Sequence, residues 1–132
     1  MGLALYQPVS ASSGPRGRNQ RRAPRVDVLM RVEGILVSID AHIIVHDLSR
    51  SGFAIMSQRS FDAGQTLDFR LTAIDGPTVA VTAESVHTRP MPGMPGMHMS
   101  GFRFVPGRLT GLVPQALIDQ LIETINPVAS VF

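Results

Sequence analysis

Residues 41–56 read AHIIVHDLSRSGFAIM. Ala41 to His46 is a short apolar run rich in β-branched residues, Asp47 to Gly52 is polar and turn-forming, and Phe53 to Met56 is apolar again. A strand, a tight turn and a second strand are the simplest reading. The same grammar extends in both directions. Upstream, Val26, Val28, Met30 and Val32 recur with period two while Asp27, Arg31 and Glu33 fill most of the gaps, which predicts a strand with one wet face. Gly34 is read as a bend or bulge within it, after which Ile35 to Ile39 continues. Downstream, Thr66–Leu71, Thr78–His87 and Met97–Val105 are three further strands. They are separated by Asp62–Gln65, Asp75–Pro77 and the loop Pro90–Gly96. Six strands punctuated by regularly spaced turns predict a closed or nearly closed antiparallel barrel. The period then changes: Leu109, Leu112, Val113, Ala116, Leu117 and Leu121 follow helical spacing, Pro114 suits a first turn, and Asn126-Pro127 is a stop. A helix with that apolar face would close one end of the barrel.

Composition sets the outer limits. A chain of 132 residues with 44% hydrophobic content suits one domain that buries about two-thirds of its unfolded surface without a staple. The absence of cysteine excludes disulfides, thiolate nucleophiles and cysteine-ligated zinc. No apolar run approaches the roughly 18 residues of a membrane span, and the start, MGLALYQPVSASSG, has neither a basic n-region nor an apolar h-region. Tyr6 occupies the position where a myristoylation signal carries Ser or Thr. A cytoplasmic location with no membrane partner is expected. The net charge of +2 is unevenly distributed. Arg16, Arg18, Arg21, Arg22 and Arg25 give residues 1–25 a charge of +5, whereas the other seven arginines and all ten acids leave residues 26–132 at −3. Every cation is a guanidinium, a group that forks onto phosphate and stacks on bases. Residues 1–20, rich in Ser, Gly, Pro and Arg, read as a flexible basic arm. Residues 21–126 form the barrel with its helix, and 127–132 a tail.

Two motifs lie about twenty residues apart. Arg21-Arg22-Ala23-Pro24-Arg25 is an R-x-x-x-R where the arm meets the first strand. Asp47-Leu48-Ser49-Arg50-Ser51-Gly52 is a D-x-S-x-x-G in the turn quoted above. A third element, Gly101-Phe102-Arg103-Phe104, is a G-x-x-F in the last strand, followed by the helix. In this order and spacing the three resemble the PilZ domain family over roughly residues 18–125. The resemblance implies an all-β, six-stranded antiparallel PilZ-like β-barrel with a C-terminal α-helix, a receptor for cyclic di-GMP that is not an enzyme. It implies that Arg21 and Arg25 grip phosphates and the guanine Hoogsteen edge, that Asp47 and Ser49 hydrogen-bond the guanine edge and ligand backbone, and that Gly52 lets the turn pass close to the ligand. Arg18 and Arg22 lie where they could serve a second ligand, one ligand or an intercalated pair both being compatible with the motif, and His87 or Arg89 falls where the family often packs a side chain on the ligand. The register Arg18–Arg22 is an alternative R-x-x-x-R. Arg21–Arg25 is preferred because Val26 then opens the first strand.

The chemistry of the residues agrees. Cyclic di-GMP is a dianion with two purine faces. Guanidinium pairs bidentately with phosphate and with guanine O6/N7, each good pair contributing about 1–3 kcal/mol of discrimination. A carboxylate accepts from guanine N1–H and N2–H₂. The expected partners are therefore cyclic di-GMP, with no other cofactor, and a downstream protein; the alternative is a ligand-independent adaptor on the same fold. Nucleic acid is disfavoured by the acidic body and by Tyr6 as the one candidate for an exposed stacking aromatic. His42 and His46 share a strand face but lack acidic or cysteine partners at ligand spacing. The cluster Met91, Met94, Met97, His98 and Met99 reads as a hydrophobic loop that touches a partner, with Cu(I) ligation by thioethers as the lesser reading. No G-x-S-x-G, P-loop or G-x-G-x-x-G occurs.

Overall fold

The alternating stretches pair into one sheet that closes on itself. A computed structural model of the chain describes residues 26–28 and 31–125. Its elements are β1 (Val26–Asp27), β2 (Val32–Leu36), a 3₁₀ turn (Val37–Ile39), β3 (Ala41–Leu48), β4 (Gly52–Ser57), β5 (Thr66–Ala73), β6 (Thr78–Pro90), β7 (His98–Val105) and α1 (Gln115–Ile125). The strand order is β1-β3-β2-β5-β6-β7-β4, and β4 pairs back onto β3. Every pairing is antiparallel. Strands β2 to β7 thus form the closed six-stranded barrel, and β1 adds two residues to the flank of β3 beyond the end of β2.

The interior is filled by alternate residues of each strand. Phe53, Phe69 and Phe102 are fully buried or nearly so and meet as one aromatic cluster. Phe53 and Phe102 are stacked with centroids 5.5 Å apart, and Phe69 lies edge-on to both, at 5.1 and 5.0 Å. Phe61 adds a further edge contact to Phe102 at 5.2 Å. Val45, Leu48, Ile55, Leu71, Val79 and Val81 complete the wall.

The first strand departs from its expected form. Asp27 pairs with Asp47 and Glu33 pairs with Ile44, so six steps of the incoming chain face three steps of β3. The surplus is looped out in a turn, in which the amides of Arg31 and Val32 both donate to the carbonyl of Val28, at 2.8 and 3.3 Å. Nor is Gly34 a bulge. It sits in regular register between Ile43 and Leu71 with its hydrogen turned inward, where an added Cβ would lie 2.7 Å from Ile43 Cγ1 and 3.0 Å from Val45 Cγ2. Glycine is there because the wall opposite is already full. The strand stops at Leu36, and Val37–Ile39 curl into the 3₁₀ turn closed by Asp40 at φ 50°, a left-handed position that Asp tolerates better than most residues.

The helix is shorter than its periodicity suggested. Leu109 is 100% exposed and lies in a loop closed by the Gly107 amide on the Leu112 carbonyl at 2.9 Å. The helix begins only after Pro114, whose carbonyl accepts the Ile118 amide at 3.0 Å. Ile118, Leu121 and Ile125 form its buried stripe, set against β5 and β6. Its two ends are tied to the barrel. The Arg31 guanidinium donates to the Ile125 carbonyl at 3.1 Å. At the other end Arg50 forks onto Asp119, Nε to Oδ1 at 2.7 Å and Nη2 to Oδ2 at 3.2 Å, while the Gln115 amide donates to the Arg50 carbonyl at 3.1 Å. The hydrogen bond from Arg50 holds the Asp119 carboxyl below the usual carboxylate range.

Two outcomes follow from this packing. In urea unfolding, Phe102→Ala should cost roughly 3–5 kcal/mol, whereas Leu109→Ala should stay within about 0.5 kcal/mol. Because folding lowers the Asp119 pKa, its ion pair contributes above the unfolded carboxylate pKa and is lost as pH falls through the folded one. Asp119→Asn should therefore lower the thermal midpoint slightly at neutral pH, a surface pair being weak. The difference from the parent chain should vanish on acidification.

Candidate functional site

Strict alternation along β3 sends Ile43 and Val45 inward and would send Asp47 after them. A carboxylate in that aromatic core would carry a large desolvation cost. The chain avoids it with a β-bulge. Val45 pairs with Ile55 and Asp47 with Ala54, leaving His46 as the extra residue. Asp47 is thereby returned to the outer face, and Leu48, paired with Phe53, becomes the next inward residue. His46 Nδ1 lies 3.0 Å from Asp47 Oδ2, so the imidazole can donate to the carboxylate.

A second bulge does the same on β6. Ser85 pairs with Phe102 and His87 with Gly101, with Val86 as the extra residue, 49% exposed. His87 also faces out. An added Cβ on Gly101 would meet His87 Cε1 and Nε2, each at 2.9 Å, so the imidazole lies directly over this glycine. Gly101 pairs in turn with Ala54. Asp47, Ala54, Gly101 and His87 therefore form one cross-strand row on the outside of β3, β4, β7 and β6, about 14 Å across at ordinary strand spacing. It has a carboxylate at one end, an imidazole at the other and two of the smallest side chains between. Such a row is a shallow outer-face platform with a polar group at each end.

The turn beside it is held from within. The Ser49 amide donates to the Gly52 carbonyl at 2.8 Å, and the Ser51 amide donates to Ser49 Oγ at 3.2 Å. Ser49 Oγ in turn donates to the Gly52 carbonyl at 3.3 Å. Ser49, expected to reach a ligand, is only 1% exposed, its hydroxyl engaged by the turn. Gly52 makes a close approach of a different kind from the one expected. It pairs with Arg103, and an added Cβ would lie 2.0 Å from the Phe102 carbonyl oxygen. Glycine is what lets β4 start against β7. Arg103, opposite it, is ion-paired with Glu84.

Asp47 and Gly52 thus bracket the turn, with Ser49 inside it. Arg21, Arg22 and Arg25 lie outside the described residues. Val26, the first described residue, pairs with Leu48, immediately before Ser49. Of the two residues expected near the end of β6, His87 shares the row with Asp47, while Arg89 pairs with Met99 one row further along. Ala54 is not among the residues expected from the sequence, and Gly101 figures there only in the G-x-x-F of the last strand. Their spacing from Asp47 carries no signal until the bulges and register are known. Among the described residues no cluster of three or more His, Cys, Asp or Glu could hold a metal ion, and no helix is long and apolar enough to cross a membrane.

No curated protein matches the chain by sequence. Several solved structures match its fold. The inhibitor of motility MotI/DgrA of Bacillus subtilis superposes with a TM-score of 0.67 at 11% identity, covering 85% of this chain and 52% of that one; the present chain spans about half its length. The PilZ domain of YcgR from Escherichia coli, solved with c-di-GMP, superposes with a TM-score of 0.60 at 12% identity, covering 85% of this chain and 95% of that one. YcgR in complex with c-di-GMP gives a TM-score of 0.63 at 12% identity, covering 85% and 48%. A PilZ domain model matches residues 19–123, nearly all of the arm junction, barrel and helix, and the chain belongs to the PilZ domain family.

Proposed function

We propose that this chain is a non-enzymatic cytoplasmic receptor module of a bacterial signalling system, that its ligand is cyclic di-GMP, and that the ligand binds on the platform between Asp47 and His87. The observation that carries the reading is the pairing of Val26 with Leu48. The first residue after the R-x-x-x-R motif is anchored beside the D-x-S-x-x-G turn, and covalent geometry holds Arg25 one Cα step, about 3.8 Å, from Val26. That pairing supports a site in which the basic motif meets the acidic turn. The YcgR PilZ domain solved with c-di-GMP supports the same ligand class.

In this reading Arg21 and Arg25 fork onto the phosphates and the guanine Hoogsteen edge, with Arg22 as a further cation for the bound dianion. Asp47 accepts from guanine N1–H and N2–H₂ and is steadied by His46. A base lies over Ala54 and against the His87 ring, which itself covers Gly101. Ser49 and Gly52 act by shaping the turn: the hydroxyl is committed to turn hydrogen bonds, and glycine admits the β7 backbone. Residues 1–20 act as an arm that orders over the bound dianion and alters the surface offered to a downstream protein. The shift this produces is bounded by the ligand's differential affinity for the two arrangements.

Isothermal titration of the full chain with cyclic di-GMP should give saturable heat at micromolar ligand. Arg25→Ala and Arg21→Ala should each weaken binding by about tenfold or more, as loss of one bidentate guanidinium contact predicts. Asp47→Ala should do the same, and His87→Ala should weaken it several-fold in a chain shown to be folded. No heat at any micromolar concentration, with the protein shown to be folded, would remove the assignment. A gel shift of DNA or RNA that weakens steeply with salt would replace it with a nucleic-acid reading.

A further inference from the structure

The next row on the outer face has a different chemistry. Ile44, Met56, Met99 and Arg89 are in register across β3, β4, β7 and β6, immediately beside Asp47, Ala54, Gly101 and His87. Ile44 is 48% exposed, and Met56 and Met99 are half-buried. One step further, the Met91 amide donates to the Met97 carbonyl at 2.9 Å across the neck of the β6–β7 connection, and Met94 is exposed on the loop beyond it. The seam of the barrel opens at the same place. Strands β3 and β4 pair only from Ile44–Met56 to Leu48–Phe53. Past that point Ala41–Ile43 and Ser57–Arg59 part around a groove of about 560 Å³ with Ile44, Met56 and Met97 in its lining.

A volume of this size takes several side chains, and apolar side chains that line a groove and run on from it are the kind of surface a partner protein covers. Thioether side chains are unbranched and polarizable, and they re-pack around a range of apolar shapes. The charge around them is directional. The groove is lined by His42 and Arg59 and by no carboxylate, and Arg89 ends the methionine row on β6. The carboxylate in register with this row is Glu33, paired with Ile44 from β2, on the flank away from Arg89. The complementary surface is apolar along its centre and acidic toward the two arginines.

We infer that this methionine-lined seam docks an acidic amphipathic segment of a partner protein, apolar side chains in the groove and carboxylates toward Arg59 and Arg89. The surface is complete without nucleotide, so it stands independently of the ligand reading above.

The test uses the full chain, free of nucleotide, with ¹³C-methyl methionine. The probes are a short helical peptide of Leu, Ala and Glu and its Lys-for-Glu counterpart. Resonances are assigned through single Met→Leu substitutions. The Met56, Met97 and Met99 methyls should shift saturably with the acidic peptide. Ile44→Gln and Arg59→Glu, both at the surface and checked for an unchanged thermal midpoint, should each weaken binding by about tenfold, and the Lys peptide should bind no better than those variants. Absent methyl shifts, or equal binding of the two peptides, would overturn the proposal. Shifts that depend on protein concentration without peptide would assign the face to a second copy of this chain instead.

Discussion

Closing six strands into a barrel commits alternate side chains of every strand to a single interior, and that interior is filled by three interlocked phenylalanine rings. A polar side chain required near this core has no neutral position. In strict alternation it either enters the aromatic cluster without partners or shifts its whole strand by one place, which would turn the neighbouring apolar residues out to water. The bulges at His46 and Val86 resolve this at two points. Each adds one residue and returns one side chain to the outer face; the next inward position is Leu48 beyond the first bulge and Thr88, bonded to Ser100, beyond the second. The two returned side chains, Asp47 and His87, end up in the same cross-strand row.

The glycines serve the same economy of space. Gly34 leaves room inside for Ile43 and Val45. Gly52 leaves room for the Phe102 carbonyl, which lets β4 start against β7 at that position. Gly101 leaves room outside for the His87 ring. Each absence of a side chain is explained by what occupies the vacated volume, and in none of the three is a left-handed backbone the reason.

The turn from Asp47 to Gly52 links these features to the helix. Ser49 spends its hydrogen bonds inside the turn, which fixes the backbone, while Arg50 and Gln115 carry the turn's position across to α1. The candidate platform therefore rests on a support with three independent ties: the β3–β4 ladder, the serine-held turn and the helix that caps that end of the barrel. A surface built this way is pre-shaped, so the ordering cost of binding falls on the segments that join it rather than on the platform itself.

The sequence by itself determined most of the strand content, a turn ahead of Gly52, the existence of a terminal helix, and the motif pair that indicates the family. These are local signals, written in hydrophobic period and turn chemistry over a few residues. Only the tertiary structure decided that the first strand breaks after Asp27, that Leu109 stays outside the helix, that Ser49 faces the turn, and that Ala54 and Gly101 lie between Asp47 and His87. The reason is register. A bulge or a looped-out residue is set by what the neighbouring strand must bury, and His46 and Val86 carry no local mark that distinguishes them from residues in an unbroken strand.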